Sequence, residues 1–338
     1  MKEPLFGKTL VQLREIVKEL NLPKFTANQI TDWLYKKDIT TIDEMTNLSK
    51  KVRELLIEKF DFGLASHKSF QVSADGTKKY LFPTQAGMFI EAAYIPEKSR
   101  NTLCVSAQVG CRMGCRFCMT GKQGFQGNLT AGEILNQIRS LPERDKLTNI
   151  VYMGMGEPFD NLQNVLQSFE ILISDWGFAI SPRRITVSTI GIIPAIIKFL
   201  EESECHLAIS LHSPFVEERR ILMPVESSNP LEKVLETIKK YDIGKQRRVS
   251  FEYIMFKGLN DTSRHVKQLA RILNGIRCRI NLIRFHPIPD SPYKSPDDLT
   301  IEKFMSGLNK KGIRTTLRAS RGQDISAACG LLSTKGFE

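Results

Sequence analysis

Apolar residues in the first sixty positions recur at helical spacing. Leu10, Leu13, Ile16, Val17 and Leu20 share one face, Ile30, Trp33 and Leu34 form a second stripe, and Val52, Leu55, Leu56 and Ile57 a third. These stripes predict a small helical module over 1–62. The period then shortens: β-rich runs at 69–72, 79–82 and 88–94, broken by Asp75-Gly76, predict a small antiparallel extension over 63–99, with 96–101 as its linker. Beyond residue 100, strand-like runs at 103–107, 149–153, 184–189, 206–211, 249–256, 279–285 and 313–318 alternate with helical ones. The helical runs cover 130–140, 161–175, 192–202, 230–240, 261–274 and 301–311, and Thr130 with Glu133 spells a capping box at the first of them. Strand–helix alternation of this kind predicts an α/β core over 100–338 built on a parallel sheet, open or closed into a barrel. Its polar and glycine clusters fall just past the carboxyl ends of the strands, where such folds keep their chemistry.

The chain has 338 residues, 41% of them hydrophobic, enough for a real core. It holds no apolar run of about 18 residues, so no membrane span is expected. The N-terminus lacks the apolar stretch and cleavage site of a signal peptide, and a cytoplasmic location is the expectation. Lys and Arg number 48 against 37 Asp and Glu, a formal charge of +11. That surplus favours a polyanionic partner, because neutralising phosphates releases their condensed counterions. A basic enzyme with no nucleic-acid role remains open on charge alone. The paired cations Lys36/Lys37, Lys50/Lys51, Arg247/Arg248 and Lys310/Lys311 are scattered, which suits a broad, shape-reading RNA surface better than a localisation tag.

The seven cysteines are an odd count in a large, reduced protein, where metal binding or catalysis is expected over a disulfide framework. Cys111-Arg-Met-Gly-Cys115-Arg-Phe-Cys118 directly follows the first core strand. Thiolates select iron–sulfur clusters and zinc. Three ligands leave a four-iron cluster with one iron free of protein sulfur, a corner that S-adenosylmethionine can chelate through its amino and carboxylate groups. One electron then breaks its sulfonium bond and yields a 5′-deoxyadenosyl radical. Phe117 is placed to pack on the cofactor's adenine. The competing zinc knuckle needs a fourth ligand, for which Cys104 is the only nearby candidate. In this motif the chain resembles the radical S-adenosylmethionine superfamily, whose partial (β/α)6 TIM-like barrel matches the alternation above.

Gly154-Met155-Gly156-Glu157-Pro158 ends the second core strand, Ser188-Thr189 the third and Ser210-Leu211-His212 the fourth. Glycines admit a ligand close to the backbone, and Glu157 can accept from an ammonium group. Ser188, Ser210, Leu211 and His212 can meet ribose hydroxyls or a carboxylate. Each alone reads equally as a capped strand end. Their shared rim with the cysteine loop points to a cofactor ring.

Longer motifs narrow the resemblance. Cys104-Val-Ser-Ala-Gln-Val-Gly-Cys111, Phe125-Gln-Gly-Asn-Leu-Thr130, Met153-Gly-Met-Gly-Glu-Pro158, Ser210-Leu-His212-Ser-Pro214, Glu252-Tyr253 and Gly322-Gln-Asp-Ile-Ser-Ala-Ala-Cys329-Gly330 are similar to the RlmN/Cfr family of RNA methyltransferases over the whole chain. The resemblance implies one [4Fe-4S] cluster on Cys111, Cys115 and Cys118, and two S-adenosylmethionine molecules per turnover. It further implies that Cys329 is methylated first. The methyl then becomes a carbon radical and adds to carbon 2 of an adenosine in 23S rRNA (peptidyl transferase centre) or in tRNA (3′ of the anticodon). Cys104 resolves the adduct by forming a transient disulfide with Cys329, and Glu91 is the proton acceptor at carbon 2. The implied partners are the two RNAs, an electron donor such as flavodoxin or ferredoxin, and a disulfide reductant; the chain is expected to act as a monomer. Because carbon 2 is unreachable in a stacked helix, the substrate should be naked or partly assembled RNA.

From the residues alone, Cys104 and Cys329 read first as small buried hydrophobes, as do Cys205 and Cys278, and Glu91 as one acid among many. The chain departs from the family at His286, which stands where an Asn that contacts the cofactor is common. Pro158 after Glu157 and Val109 before Gly110-Cys111 match the carbon-2 branch rather than the Cfr-type carbon-8 branch. A non-catalytic zinc RNA-binding protein and a glycyl-radical activase are further alternatives; the activase has no use for Cys104 or Cys329.

Overall fold

The computed structural model describes residues 2–243 and 248–334, so Arg247 of the basic pairs lies outside the described residues. Its centre is one ten-stranded sheet whose spatial order follows the chain: β1 Ser69–Val72, β2 Lys78–Pro83, β3 Phe89–Pro96, β4 Asn101–Val105, β5 Asn149–Tyr152, β6 Ile185–Thr189, β7 His206–Ser210, β8 Val249–Met255, β9 Cys278–Arg284 and β10 Arg314–Leu317. From β4 to β10 all neighbours are parallel. Each parallel step is bridged by a helix: Ala131–Arg139, Leu162–Ile173, Ile193–Glu202, Leu231–Lys239, Ser263–Ile272 and Asp298–Lys310. The first of these begins at the expected capping box, with Thr130 Oγ1 accepting from Glu133 N and the Glu133 carboxylate accepting from Thr130 N.

Strands β1 and β10 do not pair with each other, so the sheet is not closed. It is nonetheless strongly curled. Ile95 of β3 and Leu317 of β10 line one cavity, although seven strand spacings of ~4.8 Å would set them about 34 Å apart on a flat sheet. An α/β partial barrel with its cavity on the concave side is the result.

The predicted linker is a correction. Pro96 pairs with Asn101, and Glu97 N–H donates to Arg100 O at 2.8 Å, so 97–100 is the tight turn of a hairpin. The antiparallel strands β1–β3 are therefore an edge of the core sheet. Sequence pattern missed this because a short polar turn and a linker share the same composition.

The N-terminal segment folds as helices Leu10–Glu19, Thr26–Tyr35 and Lys50–Lys59, and Glu3–Pro4 pairs in parallel with Phe60–Asp61. Their apolar stripes face inward: Leu13, Ile16, Val17, Ile30, Leu34 and Leu56 are buried. The segment is seated closely on the core. Gly7 has φ +96°, and a Cβ there would lie 2.4 Å from Gly132 N. Arg139 reaches back to Asp38, and Tyr35 packs on Trp176 and Phe178.

Candidate active site

The triad sits on a loop pinched at its neck. Gln108–Val109 pairs antiparallel with Gly127–Asn128, closing the loop between them. Gly110 is required there, because its φ is +68° and a Cβ would fall 1.6 Å from Gly124 O. Cys111 N–H donates to Gly124 O, Arg116 N–H to Leu222 O and Met119 N–H to Gly330 O. The loop is thus tied to both the barrel rim and the C-terminal segment. Cys111, Cys115 and Cys118 all line a cavity of about 530 Å³ on the concave side of the sheet. Burial pushes the Cys111 thiol up to about 12 and Cys115 well above its usual range. Neither ionises readily without a cation to pair with, and iron is such a cation.

No three His, Cys, Asp or Glu side chains among the described residues converge as one metal ion would require. A thiol set facing a shared cavity fits the spread corners of an iron–sulfur cube better than a single tetrahedral zinc. Phe117 lies beside this set, edge-on to His212 at 4.8 Å between ring centres.

Gly156, Glu157, Ser188, Ser210, His212 and His286 line the same cavity. Glu157 is buried, and its oxygens accept from Thr189 Oγ1 (2.6 Å), Ile190 N (3.0 Å) and Phe159 N (3.1 Å). A carboxylate offers about four acceptor sites, so roughly one remains for a ligand's ammonium group. Burial outweighs these bonds and raises the carboxyl to about 7. Gly156 has φ +92°, with Gln108 Cβ 2.4 Å from where its own Cβ would be, and Gln108 Oε1 accepts from Glu157 N. His212 lies at φ +53°. Its Nδ1 accepts from Ile254 N at 3.0 Å, which leaves the proton on Nε2. Burial, helped by the Arg219 charge, lowers it to about 3, so it is neutral at physiological pH. His286 is also held below its ordinary value, by burial and then by Arg284.

Two predicted residues are not at the cavity wall. Leu211 turns into the core, as the alternation of β7 requires; its N–H donates to Glu252 O and its carbonyl accepts from Arg219 Nε. Glu91, 1% exposed, pairs with Lys79 Nζ at 2.9 Å, and its Oε2 accepts from Ser333 N at 3.0 Å. It lies on the same face of β3 as Ala93, the register partner of Cys104, but under the C-terminal segment. Burial raises its carboxyl, and Lys79 offsets only part of that.

Cys104 and Cys329 both reach the cavity. Cys104 is buried against Ala93, Val151 and Ala327, whereas Cys329 is exposed. Cys205 is fully buried and Cys278 partly so, against the apolar core. The segment carrying Cys329 is fixed by the β1–β2 turn: Gly322 N donates to Asp75 Oδ2 (2.9 Å), and Ala74 N to Asp324 Oδ2 (3.0 Å). Thr120 Oγ1 on the cysteine loop donates to Leu332 O at 2.7 Å. The antiparallel edge thus positions a cysteine far away in sequence. Burial pushes the Cys104 thiol up to about 12, helped by Cys329 and opposed by a bond from the Met153 backbone and by Arg318.

Two residues not singled out from sequence organise the rim. Fully buried Arg219 pairs with Glu226 and donates to Ile190 O and Ser210 O, tying the ends of β6 and β7. Arg318, at the end of β10, lines the cavity together with both cysteines. Its only signal in the sequence was its place at the carboxyl end of the last strand.

Residues 105–270 match the radical SAM superfamily, and residues 4–61 match the ribosomal RNA large subunit methyltransferase N-terminal domain. The chain is 55% identical over 333 residues to the probable dual-specificity RNA methyltransferase RlmN of Bacteroides thetaiotaomicron, covering 98% of this chain and 96% of that protein. It is 43% identical to the dual-specificity RNA methyltransferase RlmN of Syntrophus aciditrophicus, again over 98% of this chain and 96% of the other. The crystal structure of a radical SAM methyltransferase from Sphaerobacter thermophilus superposes with a TM-score of 0.91 at 39% identity, covering 98% of this chain and 99% of that one. The chain belongs to the RlmN family of radical S-adenosylmethionine RNA methyltransferases.

Proposed function

We propose that this enzyme methylates carbon 2 of adenosine in 23S rRNA and in tRNA through a methyl group carried on Cys329. The observation that carries this reading is the meeting, in one cavity, of the three-cysteine loop with Cys104 and Cys329. Carbon 2 of adenine is electron-poor, so direct attack on a methyl sulfonium does not occur there, whereas a carbon radical adds readily.

Cys111, Cys115 and Cys118 hold the [4Fe-4S] cluster of the family. Glu157 accepts from the donor's ammonium group, and Ser188, Ser210, His212 and His286 meet its ribose and carboxylate. Cys329 Sγ takes a methyl group by displacement, and its exposure lets it reach a bulky substrate. When bound, the cluster and S-adenosylmethionine supply the 5′-deoxyadenosyl radical that removes a hydrogen from that methyl. Two donor molecules are consumed in each turnover. The methylene radical left on Cys329 adds to carbon 2. Glu91 takes the carbon-2 proton as the adduct's unpaired electron returns to the electron-transfer chain that delivered it; the carboxyl's raised basicity suits the task, and the Ser333 contact must open to expose it. Cys104 Sγ then attacks Cys329 Sγ. The sulfur–sulfur bond forms as the sulfur–carbon bond breaks, and the electron pair stays with carbon, which takes a proton and becomes the new methyl. A cellular dithiol reopens the disulfide.

The +11 charge suits an RNA substrate. No helix among the described residues is long and apolar enough to cross a membrane. We place the enzyme in the cytoplasm, as a monomer, fed electrons by a flavodoxin or ferredoxin. The test is anaerobic reconstitution, incubation with unmodified 23S rRNA and tRNA transcripts, and mass spectrometry of the nucleosides. The expected product is 2-methyladenosine; 8-methyladenosine would instead assign the enzyme to the Cfr-type reaction.

A further inference from the structure

We propose that Arg318 is a catalytic residue shared by the two cysteines, pairing first with Cys329 and then with Cys104, and that Glu252 positions it between them. The proposal rests on the two-cysteine reading above and adds the group that makes each sulfur a nucleophile in turn.

The geometry is built from neighbouring strands. Arg318 N–H donates to Leu282 O at 2.8 Å, which fixes its backbone beside β9 on the rim. Its guanidinium then spans the cavity wall. Nε lies 3.4 Å from Glu252 Oε2, and Nη1 lies 3.3 Å from Met153 Sδ. Cys329 and Cys104 line the same cavity as this guanidinium, and its charge acts on both sulfurs. Glu252, 3% exposed, is held in turn: its Oε1 accepts from Asn281 Nδ2 at 2.8 Å and from Ser250 Oγ at 3.2 Å. Asn281 is fixed by Thr316 Oγ1 at 3.1 Å. Glu252 Oε2 has no hydrogen-bond partner, so its charge is directed at Arg318.

A purely structural ion pair would satisfy Glu252 and stop there. Here the other edge of the guanidinium is turned to two sulfurs that both need negative charge to react. A guanidinium has five donors in a rigid fork, so it can hold a carboxylate and a thiolate together, which an ammonium does less well. Arg100 approaches from the β3–β4 hairpin, but its charge opposes that of Arg318 and is drawn toward Glu97.

Charge balance then sets the order of events. With Glu252 already paired to it, one guanidinium supports one thiolate well and two poorly. Cys329 is exposed where Cys104 is buried, so Cys329 reacts first: its thiol proton leaves to solvent and the thiolate takes the methyl. The sulfonium donor departs as a neutral thioether. The Cys329 sulfur is now uncharged, and Arg318 is released to stabilise the Cys104 thiolate. Resolution follows methylation because the same cation serves both steps.

The test uses full-length, anaerobically reconstituted protein with Arg318→Met, Arg318→Lys and Glu252→Gln. Intact-protein mass reads the rate at which Cys329 gains a methyl from S-adenosylmethionine, and a denaturing gel reads the protein–RNA adduct formed with a tRNA transcript. Iron content and reductive cleavage of S-adenosylmethionine serve as controls that a merely damaged fold would lower. Arg318→Met should slow Cys329 methylation by about tenfold or more, the loss expected when the cation facing a thiolate is removed, and should accumulate adduct once methylated. Arg318→Lys should recover part of both steps, and Glu252→Gln should slow both with iron content unchanged. Wild-type methylation rates without adduct in Arg318→Met overturn the proposal. Should that variant lose its cluster, the same wild-type behaviour in Arg318→Lys and Glu252→Gln overturns it equally. Failure of the underlying reading looks different: Cys329→Ala would then still yield methylated RNA.

Discussion

Replacing Glu157 by glutamine separates what the cofactor rim costs the fold from what it contributes to binding. The carboxyl is buried and raised from 4.5 to about 7. Its folded value lies above its unfolded one, so its contribution to stability is greatest below pH 4.5. That contribution is lost as pH rises through 7; the fully ionised group then costs the fold roughly 3 kcal/mol. Glutamine removes this cost but presents an amide N–H₂ where Ile190 N–H or Thr189 needs an acceptor, a loss of about 1 kcal/mol per bond. At pH 8 the variant should therefore be within about 2 kcal/mol of wild type in stability, and its melting temperature should change less between pH 6 and pH 8. Binding should suffer far more. The lost charge-assisted bond to the donor's ammonium group is worth ~1.5–3 kcal/mol, a rise in Kd of about 10- to 150-fold. Thermal unfolding at the two pH values and anaerobic equilibrium dialysis with S-adenosylmethionine read the two quantities. Unchanged affinity in a fully iron-loaded variant would refute the role given to Glu157.

Other outcomes follow from the same geometry. Cys329→Ala should give neither methylated RNA nor adduct, whereas Cys104→Ala should accumulate protein crosslinked to RNA on denaturing gels; free methylated product from Cys104→Ala would refute the resolving role. Arg219→Met leaves Glu226 buried without its partner, and urea unfolding should show a loss of about 3–5 kcal/mol. Gly110→Ala forces the loop neck apart at Gly124 O, so reconstituted iron should drop sharply while far-ultraviolet circular dichroism is kept.

Much of the core was legible because its signals are local. Strand β8 was expected at 249–256 and is Val249–Met255, and the helix expected at 192–202 is Ile193–Glu202. Period and caps specify such elements within a few residues of themselves. The cysteine loop was legible for the same reason, since its spacing carries the chemistry. What escaped was long-range. That β3 runs on into β4, that the β1–β2 turn holds the Cys329 segment through Asp75, and that Arg219 ties β6 to β7 are facts of tertiary contact with no periodic trace. The side chain of Leu211 illustrates the same limit: its motif neighbours reach the cavity, but strand alternation turns it away. Only the family resemblance marks Glu91 in the sequence, and its ion pair with Lys79 leaves no trace in two residues on adjacent strands.

The central claim is that Cys111, Cys115 and Cys118 carry a four-iron cluster with one corner open to S-adenosylmethionine. Electron paramagnetic resonance of the reduced, anaerobically reconstituted protein, alongside iron and sulfide analysis, tests it directly. Wild type should hold about four irons and four sulfides per chain and show a cluster signal that changes shape when S-adenosylmethionine is added. The variant with all three cysteines changed to alanine should show neither. Bound zinc without sulfide, or a cluster signal indifferent to S-adenosylmethionine, would contradict the account.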